Sequence, residues 1–105
     1  TVWWPSDRRD EFARAAEAVV TRFGDLRRPG SVQVALAQVA AGRLDGAVTN
    51  VSVNPWDSLA GVHLVRRAGG HVTDLAGDPW CHDATGLVAS NGAVHDAVLA
   101  AAREI

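Results

Sequence analysis

Apolar side chains recur along the chain at helical and strand-like spacings in turn. Over residues 7–22, Phe12, Ala16, Val19 and Val20 lead into Phe23 at three- and four-residue steps, with Arg8, Arg14 and Arg22 opposite them. That period predicts an amphipathic helix, with Gly24 as a left-handed stop. Residues 32–41 are apolar almost all round (Val32, Val34, Ala35, Leu36, Ala37, Val39, Ala40), and only Gln33 and Gln38 are polar. A helix without a hydrophilic face is expected to be buried. Ser31 stands at its N-cap position and Gly42 at its end. A third helix is predicted over 58–68, with Leu59, Ala60, Val62, Leu64 and Val65 as its apolar set, Asp57 at its start and Gly69–Gly70 as its stop. A fourth covers 93–104, after Asn91–Gly92.

Short β-prone runs fall between these helices, at 1–4, 26–28, 45–50, 71–74 and 86–90. Residues 51–54 read as a link, and 75–83 as a loop holding Gly77, Pro79 and Trp80. Strands alternating with helices of this length predict an α/β fold, a layered sandwich in which a mixed β-sheet is covered by helices. Neither a repeat nor a linker interrupts the pattern, so residues 1–105 form a single domain.

Composition narrows the function classes. The chain has 48% hydrophobic and 21% charged residues and a net charge of −2, which is ordinary globular composition. All ten basic residues are arginine, scattered or in short pairs. A duplex binder gathers such charge on one face with a pI above about 9, so a nucleic-acid partner is not expected. The apolar runs fall far short of the roughly 20 residues that cross a bilayer. The single cysteine, Cys81, suits a reducing compartment and a cytoplasmic location. A start at Thr1 and the absence of Met suggest a piece of a longer protein.

Most sequence signals for catalysis fail here. The Gly-x-Ser-x-Gly elbow, the paired zinc spacings and the Gly-rich phosphate loops are all missing. Cys81 reads as an inert loop thiol, and His63, His71, His82 and His95 as surface or boundary residues. The segment Asn54-Pro55-Trp56-Asp57-Ser58-Leu59-Ala60-Gly61 differs. Asp57 by itself reads as a capping carboxylate. However, Trp56 is expected to wedge between sheet and helix and so to aim Asp57. Gly61 sits one turn into the helix, where glycine costs roughly 1 kcal/mol relative to alanine, so a close approach to the backbone is expected there.

These residues resemble a signature of the inositol monophosphatase family, Trp-Asp-x-Ala-Ala-Gly followed by a helix ending in Glu-Ala-Gly-Gly. Here the segment reads Trp56-Asp57-Ser58-Leu59-Ala60-Gly61 and, further on, Arg67-Ala68-Gly69-Gly70. Other family-like blocks stand in order: Arg27-Arg28-Pro29-Gly30-Ser31, Val39-Ala40-Ala41-Gly42-Arg43-Leu44-Asp45-Gly46, Val72-Thr73-Asp74 with Gly77, and Ala89-Ser90-Asn91 with His95. The likeness covers residues 26–98.

The resemblance implies the C-terminal domain of a two-domain, Mg2+-dependent phosphatase of small phosphate monoesters. Most metal ligands would come from the missing N-terminal domain of the same chain. Asp57 would supply one metal ligand. Gly30, Ser31, Val32 and Asn50, together with Asp57, would line the substrate pocket, and a homodimer is one assembly the family suggests. Asn50 stands where inositol-specific members carry a glutamate. Substrates open at this point are therefore inositol-like, polyol and sugar phosphates, fructose 1,6-bisphosphate, histidinol phosphate and nucleotide 3′-phosphates. A non-catalytic homologue acting as a binding or assembly module is the rival from another class. Arg67, in place of the family glutamate, reads as a surface position, and Leu59, in place of alanine, is expected to pack behind Asp57.

Overall fold

The computed structural model describes residues 2–3, 8–49, 55–84 and 86–103. In chain order the elements are β1 (Val2–Trp3), α1 (Arg9–Arg22), α2 (Val32–Ala40), β2 (Gly46–Thr49), α3 (Pro55–Arg67), β3 (His71–Thr73), β4 (Leu87–Ser90) and α4 (His95–Ala102). The sheet order is β1-β2-β4-β3. β1 runs parallel to β2, while β4 pairs antiparallel with both β2 and β3. The sheet is therefore mixed, as the pattern of the sequence predicts.

Side-chain alternation assigns the layers. From β2 and β4, Ala47, Leu87 and Ala89 join Ala35, Leu36 and Val39 of α2 and Val62 and Val65 of α3 in one core. Val48 and Val88 point the other way, into a second core with Ala15 of α1 and Val98, Leu99 and Ala102 of α4. Two helices thus cover each face of the sheet. β4 is buried along its whole length, as a strand covered on both faces must be. Each fully buried valine or leucine contributes roughly 1.5–3 kcal/mol through apolar burial.

The structure corrects several expectations. α1 ends through an extended Phe23 (φ −124°, ψ 163°), not through a left-handed Gly24. Residues 26–28 form no strand. Asp25 instead accepts a hydrogen bond from the Leu26 N–H at 2.7 Å and pairs with Arg27, so the local side chain competes with extended pairing. Those two partners hold the exposed Asp25 carboxyl below its usual range. α2 is not buried all round, since Val34 is 46% exposed. In α3 the buried stripe is Ser58, Gly61, Val62 and Val65, while Leu59 and Leu64 face outward.

The loop after β3 is organised around Asp74. The Asp74 carboxylate accepts from the N–H groups of Ala76 (2.9 Å) and Asp78 (3.0 Å). This tight turn brings the chain back against β3, where the backbone N–H of Trp80 donates to Val72 C=O at 3.2 Å. Trp80 is thereby buried in the α2/α3 core.

Candidate functional site

Gly30, Ser31 and Val32 lie together at the N-terminus of α2. Gly30 has φ +79°, a left-handed conformation that glycine adopts without a side-chain penalty. Ser31 is the N-cap, and its hydroxyl accepts from the Val34 N–H at 3.2 Å. Val32 is half-buried and packs on the α2/α3 core. The first turn of α2 holds no acidic residue, and the positive end of a helix dipole favours an anion. Asn50 lies outside the described residues.

Asp57 lies in the first turn of α3. The helix begins at Pro55, so Asp57 is its third residue and not its cap. Pro55 suits this position because a first-turn N–H has no partner within the helix. Asp57 is exposed, at the positive end of the helix dipole, where a carboxylate is favoured. Trp56 does not wedge between sheet and helix, since it is 75% exposed. Leu59 is half-exposed and does not pack behind Asp57. Arg67 is on the surface, as expected.

The turn is placed by a residue that sequence reasoning passed over. Gln33, the second residue of α2, donates from Nε2 to Trp56 C=O at 3.1 Å. Its Oε1 accepts from the Gly61 N–H at 2.8 Å. A Cβ on Gly61 would lie 2.6 Å from Leu36 Cβ and 2.7 Å from Gln33 Oε1. The close approach expected at Gly61 is therefore that of α2. It brings the Ser31–Val32 end of α2 alongside the turn that carries Asp57. The faint signal in the sequence is a glutamine one position past the helix start, one of only two polar residues in α2.

One exposed carboxylate is a suitable oxygen donor for magnesium and only a fraction of the near-octahedral set that ion demands. Among the described residues, no group of three or more His, Cys, Asp or Glu side chains is placed to hold a metal ion. By its chemistry Asp57 could fill one such ligand position.

Other chemistry-bearing residues lie outside these two helix turns. Cys81 is exposed. His95 is 8% exposed, contrary to its expected surface or boundary placement. Its Nδ1 lies 2.7 Å from Ser90 Oγ and its Nε2 3.0 Å from Thr73 Oγ1. Burial and the nearby His71 ring push its pKa below 6.5, against a smaller opposing effect of Asp96. A cavity of about 320 Å³ opens between the end of α1 and the start of β2, lined by Val19, Phe23, Asp25, Arg43, Asp45 and Val98 among others. No helix among the described residues is long and apolar enough to cross a membrane.

Comparison with known proteins agrees with this architecture. Residues 3–105 match the inositol monophosphatase family. An inositol-1-monophosphatase of Mycolicibacterium smegmatis, ImpA, is 47% identical over 74 residues, covering 70% of this chain and 26% of the relative. The Nus factor SuhB of Salmonella typhimurium is 44% identical over 84 residues, covering 80% of this chain and 31% of the relative. The structure of an IMPase from Thermotoga maritima superposes with a TM-score of 0.86 at 34% identity, over 98% of this chain and 39% of that one. The chain belongs to the inositol monophosphatase family, and it spans about a quarter to two-fifths of the length of these relatives.

Proposed function

We propose that the complete protein hydrolyses small phosphate monoesters with Mg2+, and that this domain contributes Asp57 as one metal ligand and one wall of the substrate pocket. The observation that carries this reading is the juxtaposition of an exposed Asp57 with the anion-favouring N-terminus of α2, through the Gln33 bridge. Magnesium, when bound, supplies charge neutralisation at the phosphoryl oxygens and a more acidic water. Gly30 turns the chain so that the backbone at Ser31 and Val32 faces the phosphate. Asn50 offers a neutral donor and acceptor to substrate hydroxyls. An amide in place of glutamate favours polyol or sugar phosphates beyond inositol phosphate.

A single carboxylate cannot hold a catalytic metal pair, so the domain alone is inactive under this reading, and the missing ligands belong to the rest of the chain. The location is cytoplasmic, supported by the single, exposed thiol of Cys81. Self-association as a homodimer rests on family likeness alone.

The test is phosphate release by the complete protein from inositol 1-phosphate, fructose 1,6-bisphosphate, histidinol phosphate and a nucleotide 3′-phosphate, with and without Asp57→Asn. Turnover of at least one substrate that falls 100-fold or more in the variant, of the order seen for single electrostatic groups at a reacting centre, supports the reading. An assembly role without catalysis is the second reading, favoured by the Nus factor name of one relative. Absence of turnover on every substrate at saturating Mg2+ would select it.

A further inference from the structure

The geometry points to Gln33 as the residue that positions Asp57 relative to the Gly30–Val32 turn, and so sets the affinity of the site for a divalent cation. This inference rests on Asp57 being a metal ligand.

The first turn of a helix is held by fewer internal hydrogen bonds than its middle, and it frays unless something outside the helix ties it down. In α3 the Gln33 amide is one such tie. Gln33 takes the carbonyl of Trp56, one residue before Asp57, and the N–H of Gly61, four residues after it. Donor and acceptor of a single planar group therefore bracket the turn that presents the carboxylate. The side chain comes from the residue directly after Val32, so its backbone is continuous with the predicted substrate loop. Movement of either turn strains the same two hydrogen bonds.

The arrangement is specific to an amide. Glutamate at position 33 keeps the acceptor for Gly61 but sets a carboxylate oxygen against the Trp56 carbonyl. Leucine keeps most of the volume and neither bond. Gly61 is matched to the amide, because a Cβ there would occupy the space that Gln33 Oε1 fills. Gln33 touches no reacting atom and is a positioning residue.

The experiment titrates Mg2+ into the complete chain without substrate, reading the midpoint by thermal shift, and follows exchange of the Gly61 amide hydrogen. Gln33→Leu and Gln33→Glu are each expected to raise the Mg2+ midpoint five- to tenfold and to speed Gly61 exchange at least tenfold. Val98→Ala, in the core on the opposite face of the sheet, serves as the stability control. It is expected to lower the melting temperature while leaving the Mg2+ midpoint and Gly61 exchange within twofold of the parent. If both Gln33 variants destabilise the chain but keep its Mg2+ midpoint within twofold, Gln33 only holds helices together and the inference is overturned. An Asp57→Asn chain with an unchanged Mg2+ midpoint removes the metal-ligand reading itself, and this inference with it.

Discussion

Gly61→Ala adds one methyl group to the buried face of α3. Helix propensity alone predicts stabilisation by about 1 kcal/mol, since glycine is the poorer helix former. Packing predicts the opposite. The new carbon would lie 2.6 Å from Leu36 Cβ and 2.7 Å from both Leu36 Cδ1 and Gln33 Oε1. Leu36 Cβ is fixed to the α2 backbone and has no rotamer that moves it away. Carbon atoms pack best at about 3.5–4.0 Å, so α2 and α3 must separate by about 1 Å or distort. Overpacking of this kind costs about 1–3 kcal/mol. Displacing Gln33 removes its hydrogen bond to Gly61, worth about 1 kcal/mol more. After the propensity gain, the net expectation is destabilisation by about 2 kcal/mol. Urea unfolding followed by tryptophan fluorescence reads this directly. With a slope of about 2 kcal/mol per molar urea for a domain of this size, the midpoint falls by about 1 M. A midpoint that stays put or rises refutes the packing argument. Because the methyl and the Gln33 amide compete for one space, combining Gly61→Ala with Gln33→Ala is expected to cost less than the separate losses together.

Other outcomes follow from single residues. Trp56→Ser is expected to change unfolding free energy by less than about 0.5 kcal/mol, because the indole is 75% exposed. A loss above 1.5 kcal/mol in the same urea assay contradicts that placement. Stability is expected to depend on pH through His95. Its folded pKa lies below the ordinary 6.5, so the unfolded chain binds the proton more readily. Its stabilising contribution is present in full above pH 6.5 and is lost as pH falls from there through the folded value, with a slope of at most about 1.4 kcal/mol per pH unit. The ring facing it is His71, at 5.7 Å between centroids, and Asp96 acts in the opposite sense. Melting temperatures from pH 7.5 to 5 should show this slope, and His95→Asn should flatten it. An unchanged slope in that variant contradicts the assignment.

The helices and strands were legible because burial leaves a period. Predicted and observed ends of α2 and β2 differ by about one residue, and the parallel-plus-antiparallel sheet matches the mixed sheet expected. What periodicity missed was packing at close range. On α3 it chose Leu59 and Leu64, whereas the buried stripe runs through Ser58 and Gly61. Close helix–helix approach selects small residues there, and hydrophobicity does not register them. Residues 75–83 read as a loop holding Trp80, and the Asp74 turn folds that side chain into the core. His95 looked like a boundary residue because its two hydroxyl partners are separated from it in sequence. At the candidate site, Ser31 was recognised by position and Asp57 by motif. Gln33 carried no motif, and only the folded chain shows that its amide reaches across to α3.

The Asp57 carboxylate is expected to face a divalent ion. Crystals of the complete protein grown with Mn2+ as a magnesium surrogate, measured for anomalous scattering, address it without reference to turnover. An anomalous peak is expected about 2.1 Å from one Asp57 oxygen, the octahedral ligand distance, close to the N-terminus of α2. A well-ordered Asp57 turned onto the N–H groups of its own helix, with no peak beside it at saturating Mn2+, would contradict it.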